Sequence, residues 1–363
     1  MNVHQLKIAI AKFKNANVSI LKDDAMRAKA QKLQAKQKGF TLLELLVVIT
    51  LLATLSTAAL VAYDGAGENA RDASAATAVN TLEGSLRNYR SIVGEYPEQF
   101  DNLANVDGVL TAGAGAMQLM STETRDFFGQ LTFAQAETVT ATASTTAAAI
   151  FSSLREAGLE ELQSVQSTTT WNDGFVPNLA MNESYPEVSA NPGSEIEFTD
   201  TGAMEFDDAA IGTAGAAISI VPSGGNGTDG CEVNFATAVD ITDDFNGNST
   251  SDNAVLNLIS DGLDSEGCDL VVALGIGKEV PGATLGNAVE IAQVPTVGTN
   301  NINPRDNYAR AIALFQVGHD ADDDGTITAD EILGRARLIA VVGPEGRTID
   351  QIAADATAST NDD

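Results

Sequence analysis

The sequence predicts an α+β protein: a long N-terminal transmembrane helix runs into an amphipathic helix packed on a mostly antiparallel β-sheet, with a helical insertion. Three observations carry this. Phe40 to Tyr63 is a near-unbroken apolar run. Ala75, Val79, Leu82, Leu86, Tyr89 and Val93 then recur at spacings of four and three, one stripe of a helix suited to packing on a sheet. From Trp171 onward, Gly, Asn, Pro and Asp punctuate short apolar runs, the pattern of strands joined by turns.

The chain divides by charge. Residues 1–39 hold nine Lys/Arg against Asp23 and Asp24, a net of +7. By subtraction from the totals of 20 basic and 50 acidic residues, the other 324 residues hold 11 and 48, a net of −37. A basic head before a long apolar stretch keeps the head cytoplasmic and sends the acidic body across the membrane. An acidic body of this size repels nucleic-acid phosphates and attracts cations, so no nucleic-acid partner is expected.

Phe40 to Tyr63 spans 24 residues with one charge, Glu44. As a helix it is about 36 Å long, enough for a hydrocarbon core of about 30 Å. Leu and Val run round all its faces rather than along one stripe, which favours a membrane segment over the buried helix of a soluble protein. A carboxylate at membrane depth costs about 2.5–3.5 kcal/mol, so Glu44 needs a partner or a task. Gly39 precedes the run. A cut there would remove the cationic peptide, leave the apolar helix on the mature chain and create an ammonium at Phe40, near Glu44. An ordinary secretory signal is instead cut after its apolar core.

Lys38-Gly39-Phe40-Thr41-Leu42-Leu43-Glu44 resembles the processing site of type IV prepilins and type II secretion pseudopilins. The resemblance implies that a membrane-embedded prepilin peptidase cuts after Gly39 and methylates Phe40. It also implies that Glu44 is the assembly carboxylate, pairing with the Phe40 ammonium of a neighbour in a helical filament. It covers about residues 36–105, since Leu86-Arg-Asn-Tyr89 and Gly94-Glu-Tyr-Pro97 resemble the end of the family's first helix, pseudopilins especially. The leader of 39 residues is long for the family. Its Leu6, Ile10, Phe13 and Leu21 among lysines predict a basic amphipathic helix on the inner membrane surface.

The remaining elements follow in order. Residues 64–97 form the amphipathic half of the first helix, where Gly65 and Gly67 permit a bend and Gly94 with Pro97 ends it. Residues 98–170, rich in Ala, Thr, Ser and Gln, read as a helical or irregular insertion with a helix from Thr145 to Leu162. Residues 171–363 read as an acidic β-rich domain with strands at Ala216–Val221, Cys268–Leu274, Ala309–Val317 and Ala336–Val342.

Two features of the exported body carry chemistry. Cys231 and Cys268 are the only cysteines. An even count in an oxidising compartment predicts one disulfide, the alternative being two buried thiols. Asp320, Asp322 and Asp324 stand at positions one, three and five of a loop with Gly325 at six, Thr326 at seven, Thr328 at nine and Glu331 at twelve. That is the ligand order of a calcium loop; the plainer alternative is a solvated acidic turn. A calcium ion there would staple Ala309–Val317 to Ala336–Val342. Asp244-Phe-Asn246-Gly247-Asn248 echoes the pattern without a closing Glu and reads as a turn. Gly275-Ile-Gly277-Lys278 lacks the rest of a phosphate loop.

With His319 the only histidine after the leader, no Ser/His or Cys/His pair can be argued, and no catalytic residue is assigned. The expected protein is a structural subunit, not an enzyme. It is held in the inner membrane with its body periplasmic before assembly, and is part of an extracellular pilus afterwards. Its partners are further copies of itself, the peptidase and the inner-membrane pilus or secretion machinery. A pseudopilin driving type II secretion, or a minor tip pilin acting as an adhesin, fits the same anchor.

Overall fold

The computed structural model describes residues 8, 11–12, 15–20, 23–36, 42–111, 113–135, 145–171, 177–179, 181, 194–206, 215–223, 230–249, 268–277, 295–299 and 302–358. It forms two compact units, residues 1–65 and 66–363. In the first, a helix at Asp24–Lys36 opens on Asp23, whose carboxylate accepts the Ala25 amide at 2.9 Å. Leu6, Ile10, Phe13 and Leu21, read above as a membrane-surface helix, lie outside the described residues.

A second helix is assigned over Leu42–Val93 and runs through Gly65 and Gly67, where the sequence permitted a bend. It stops where expected. Gly94 adopts φ +99° and its amide returns to Arg90 O at 2.8 Å, a left-handed cap that a side chain would resist.

The second unit is built on a curled, mostly antiparallel sheet. Its strands in chain order are β1 (Gln99–Asn105), β2 (Gly129–Phe133), β3 (Glu161–Val165), β4 (Ser194–Phe198), β5 (Met204–Phe206), β6 (Ala216–Val221), β7 (Glu232–Val233), β8 (Val239–Asp240), β9 (Asp269–Gly275), β10 (Ile312–His319), β11 (Thr326–Ile327) and β12 (Ile332–Val342). The main path is β12-β10-β9-β1-β3-β4-β5, with β6 joining β9 to β2 and a small β11-β7-β8 sheet beside it. Only β1–β3 and β7–β11 pair in parallel among these.

Both faces of the sheet are buried, which explains why β6, β9 and most of β10 read as continuous apolar runs rather than alternating ones. In β9, Leu270, Val272 and Leu274 join one core with Val79, Leu82 and Leu86 of the long helix and Phe151 of a helix at Thr145–Glu156. Val271 and Ala273 join a second core with Phe128, Trp171 and Tyr308. At the edge strand β12, the Leu338 amide donates to Oη of Tyr96, just past the long helix, at 3.2 Å, and Arg87 Nη2 of that helix donates to Ile339 O at 3.3 Å, which occupies backbone groups open to unwanted pairing.

Residues 98–170, read above as an insertion, instead supply β1, β2 and β3, with β1 between β9 and β3 inside the sheet. Their buried faces hold Asp101, Asn102, Asn105, Gln163 and Ser164, which hid the strand periodicity. The Thr145 helix ends at Glu156, short of the expected Leu162. Gly158 turns the chain at φ +99°, and a Cβ there would come within 2.6 Å of Tyr96 O. The run at 138–144 lies outside the described residues, as does Lys278.

Candidate processing, assembly and metal sites

Leu42–Leu60 is an apolar helical stretch long enough to cross a membrane, and none of it is buried within the chain. Its leucines are exposed, Leu42 by 82% and Leu60 by 72%. So much bare apolar surface requires lipid or other protein around it. Its threonine hydroxyls are satisfied internally: Thr50 donates to Val47 O at 2.9 Å, Thr54 to Leu51 O at 3.0 Å and Thr57 to Ala53 O at 2.9 Å. Glu44 lies in the first described turn and is exposed on the helix surface. A carboxylate there is favoured by the positive end of the helix dipole. Gly39 and Phe40 lie outside the described residues.

A family model for the prokaryotic N-terminal methylation motif matches residues 34–60. The chain carries the prepilin-type motif of type IV pilin-like proteins. The motif supports a type IV pilin-like or pseudopilin protein anchored in a membrane through this helix. No curated protein and no solved structure matches the chain.

In the second unit, Cys231 and Cys268 form a disulfide with Cα atoms 5.4 Å apart. They stand just before β7 and β9, so the bond ties the small sheet to the large one. The acidic loop is fastened to both ends of it. The Asp320 amide donates to Cys268 O at 2.8 Å, and the Glu232 amide, next to Cys231, donates to Gly325 O at 2.9 Å.

Within that loop Asp320, Asp322 and Asp324 each present a carboxylate oxygen within 4.8 Å of the others. Backbone geometry forces the convergence. Asp323 adopts φ +62° and Gly325 φ +83°, and Asp320 accepts the Asp324 and Gly325 amides at 3.3 and 2.7 Å. Glu331 folds back over the loop, accepting from the Ala321 amide at 2.7 Å and the Thr328 amide at 2.8 Å. With the Thr328 hydroxyl bonded in return, it caps the short helix Ala329–Glu331. Thr326 sits in β11 with its amide on Asp324 Oδ1 at 2.8 Å. The Asp324 charge holds the Asp322 carboxyl above its ordinary range, while the Thr328 hydroxyl donating to Asp330 holds that carboxyl below it. The donor set is all oxygen and mostly anionic, and suits a hard divalent cation.

Asp244 behaves differently. It accepts the Asn246 and Asn248 amides at 2.8 and 2.9 Å, and Gly247 turns at φ +75°. This is a turn closed on itself, as its sequence suggests.

The sequence reading missed a buried polar network. Asp101, inside β1, accepts Tyr308 Oη at 2.6 Å and the Met181 amide at 2.9 Å. Arg310 Nε donates to Asn178 O at 3.0 Å, and Asn178 takes the Ala309 amide at 2.7 Å. Burial and the Asp101 charge push the Tyr308 phenol well above its usual range, and burial lowers the Arg310 guanidinium. The one sequence signal was Gly275, where a Cβ would collide with Tyr308 Oη.

Proposed function

We propose that this chain is a structural subunit of a type IV pilus. Prepilin peptidase removes residues 1–39, Phe40 becomes the methylated N-terminus, and the exposed Leu42–Leu60 helix packs in the filament core. The observation that carries this reading is one carboxylate, Glu44, in the first described turn of a 19-residue apolar helix that the chain leaves bare. In a bundle of such helices the Glu44 carboxylate of one copy neutralises the Phe40 ammonium of the next. Correct register then removes a charge cost that any other register retains. Mass spectrometry of the protein from its own cells tests the reading: the expected mature chain begins with N-methylated Phe40, and any other first residue overturns it.

Calcium belongs to the same proposal, as a staple of the body. Asp320, Asp322, Asp324 and Glu331 would supply carboxylate oxygens, with Thr326 and Thr328 on the loop's seventh and ninth positions. When bound, the ion would supply positive charge that offsets the repulsion between Asp322 and Asp324. The chain's own part is to hold the loop: its two ends are bonded to either side of the disulfide, and it links the antiparallel neighbours β10 and β12.

A further inference from the structure

The two outer strands of the main sheet path carry opposite charge. At one end, β3, β4 and β5 place three glutamates in a single cross-strand row, with Glu161 facing Glu197 and Glu197 facing Glu205. Glu197 and Glu205 are exposed, and among the described residues neither side chain has a hydrogen bond or ion pair. Like charges directly opposite on a sheet are unfavourable, so the lone chain carries a cost that an external cation relieves.

At the other end, β12 and the close of the long helix gather arginines in a body with only 11 basic residues after position 39. Arg335 Nη2 reaches Gly94 O at 2.5 Å, and Arg90 Nη1 reaches Tyr96 Oη at 2.6 Å while stacking 4.9 Å above its ring. Those partners are neutral. Arg337 lies on the same strand, exposed, with its Nε donating to Gln316 Oε1 at 2.5 Å. Beside Gly94, Ile92 and Val93 are 67% and 52% exposed, so Val93, read above as part of the packing stripe, lies beyond its buried residues Ala75, Val79, Leu82 and Leu86. The result is a small apolar face with Arg90 and Arg335 beside it, and with the exposed Glu95 and Glu98 following it in the chain.

We propose that Arg90, Ile92, Val93, Arg335 and Arg337 dock a second copy of this chain through that copy's Glu161–Glu197–Glu205 row. The complement is charge against charge, and both halves lie on every copy. With the two faces at opposite ends of the strand path, the contact we propose is head-to-tail, and where its rotation does not close into a ring its repetition builds an open helix. This deepens the filament reading and rests on it: the helical core brings bodies together, and these faces set how they meet. Complementary charge of this kind fixes register and rejects wrong orientations.

Charge reversal in the full-length chain, expressed in its own cells, tests the contact. Arg335→Glu with Arg337→Glu is expected to lower sheared filament yield about tenfold, as is Glu197→Arg with Glu205→Arg, and all four together should restore it. Wild-type yield from either pair overturns the proposal, and so does a combined variant that accumulates with its disulfide yet recovers nothing. Should that variant fail to accumulate, a photoreactive residue at position 92 decides. Adducts on residues 195–206 of another copy support the contact. Adducts on a different protein, or none, overturn it, as does filament rescue of the arginine variant by calcium alone. If the unaltered cells make no filament, the filament reading fails by itself, while adduct mapping in membranes still decides the contact.

Discussion

The hydroxyl of Tyr308 inside the sheet shows how single residues set the energetics of this body. Its hydrogen bond to Asp101 satisfies a buried carboxylate, which would otherwise cost about 1–3 kcal/mol. Tyr308→Phe should therefore destabilise the protein by about that amount, measured as a lower denaturation midpoint in urea, with the disulfide intact. Glu161 behaves in the opposite sense. Burial is the chief cause that raises its carboxyl above the ordinary value, with the Glu195 charge adding to it, against the bonds from Gln99 and Gln163. A raised carboxyl means that the folded form holds its proton more tightly than the unfolded chain. Stability is thus greater at low pH and falls as pH rises through the unfolded value towards the folded one. Glu161→Gln should raise the melting temperature at pH 7, and the gap to the parent should close as pH drops below the ordinary Glu value. A constant gap at all pH values would show that the charge is not the cause.

At the scale of elements, the acidic loop and the disulfide form one construction. Closing 37 positions adds about 3.5–4 kcal/mol in the chain-entropy view. Cys231→Ser with Cys268→Ser should cost about that much, read as a lower denaturation midpoint in urea. Calcium at about a hundred times its dissociation constant should add about 2.7 kcal/mol, seen as a melting temperature several degrees higher and reversed by chelator. Asp322→Asn with Asp324→Asn should abolish that shift; a shift that survives would place the ion elsewhere. Elements also mark where the sequence was readable. Ala216–Val221 and Ala336–Val342 announced themselves because burial on one or both faces demands Val, Ile and Leu, although the second strand begins earlier, at Ile332. β1 did not, because Asn102 and Asp101 hold their buried places through hydrogen bonds to chain segments far away. One of these is Asn102 Nδ2 to Ala217 O at 2.9 Å.

For the whole molecule, the decisive property is a helix with no use inside its own chain. Leu42–Leu60 must be covered by lipid or by other copies. If Glu44 pairs with a neighbour's ammonium, Glu44→Ala should leave membrane insertion intact yet cut filament recovery. An unpaired charge worth about 2.5–3.5 kcal/mol corresponds to about a hundredfold in an equilibrium. Normal filament yield from that variant would contradict the pairing. The sequence by itself determined the apolar stretch, the methylation motif, the cysteine count and the order of acidic residues in the loop, because each depends on residues close along the chain. Only the tertiary structure decided that residues 98–170 supply strands of the sheet, that the loop hangs from the disulfide, and that Glu161, Glu197 and Glu205 share one cross-strand row at the far end of the strand order from Arg335 and Arg337. Those facts rest on contacts between residues far apart in sequence, where hydrogen-bond partners and cross-strand register, not local composition, fix what a side chain meets.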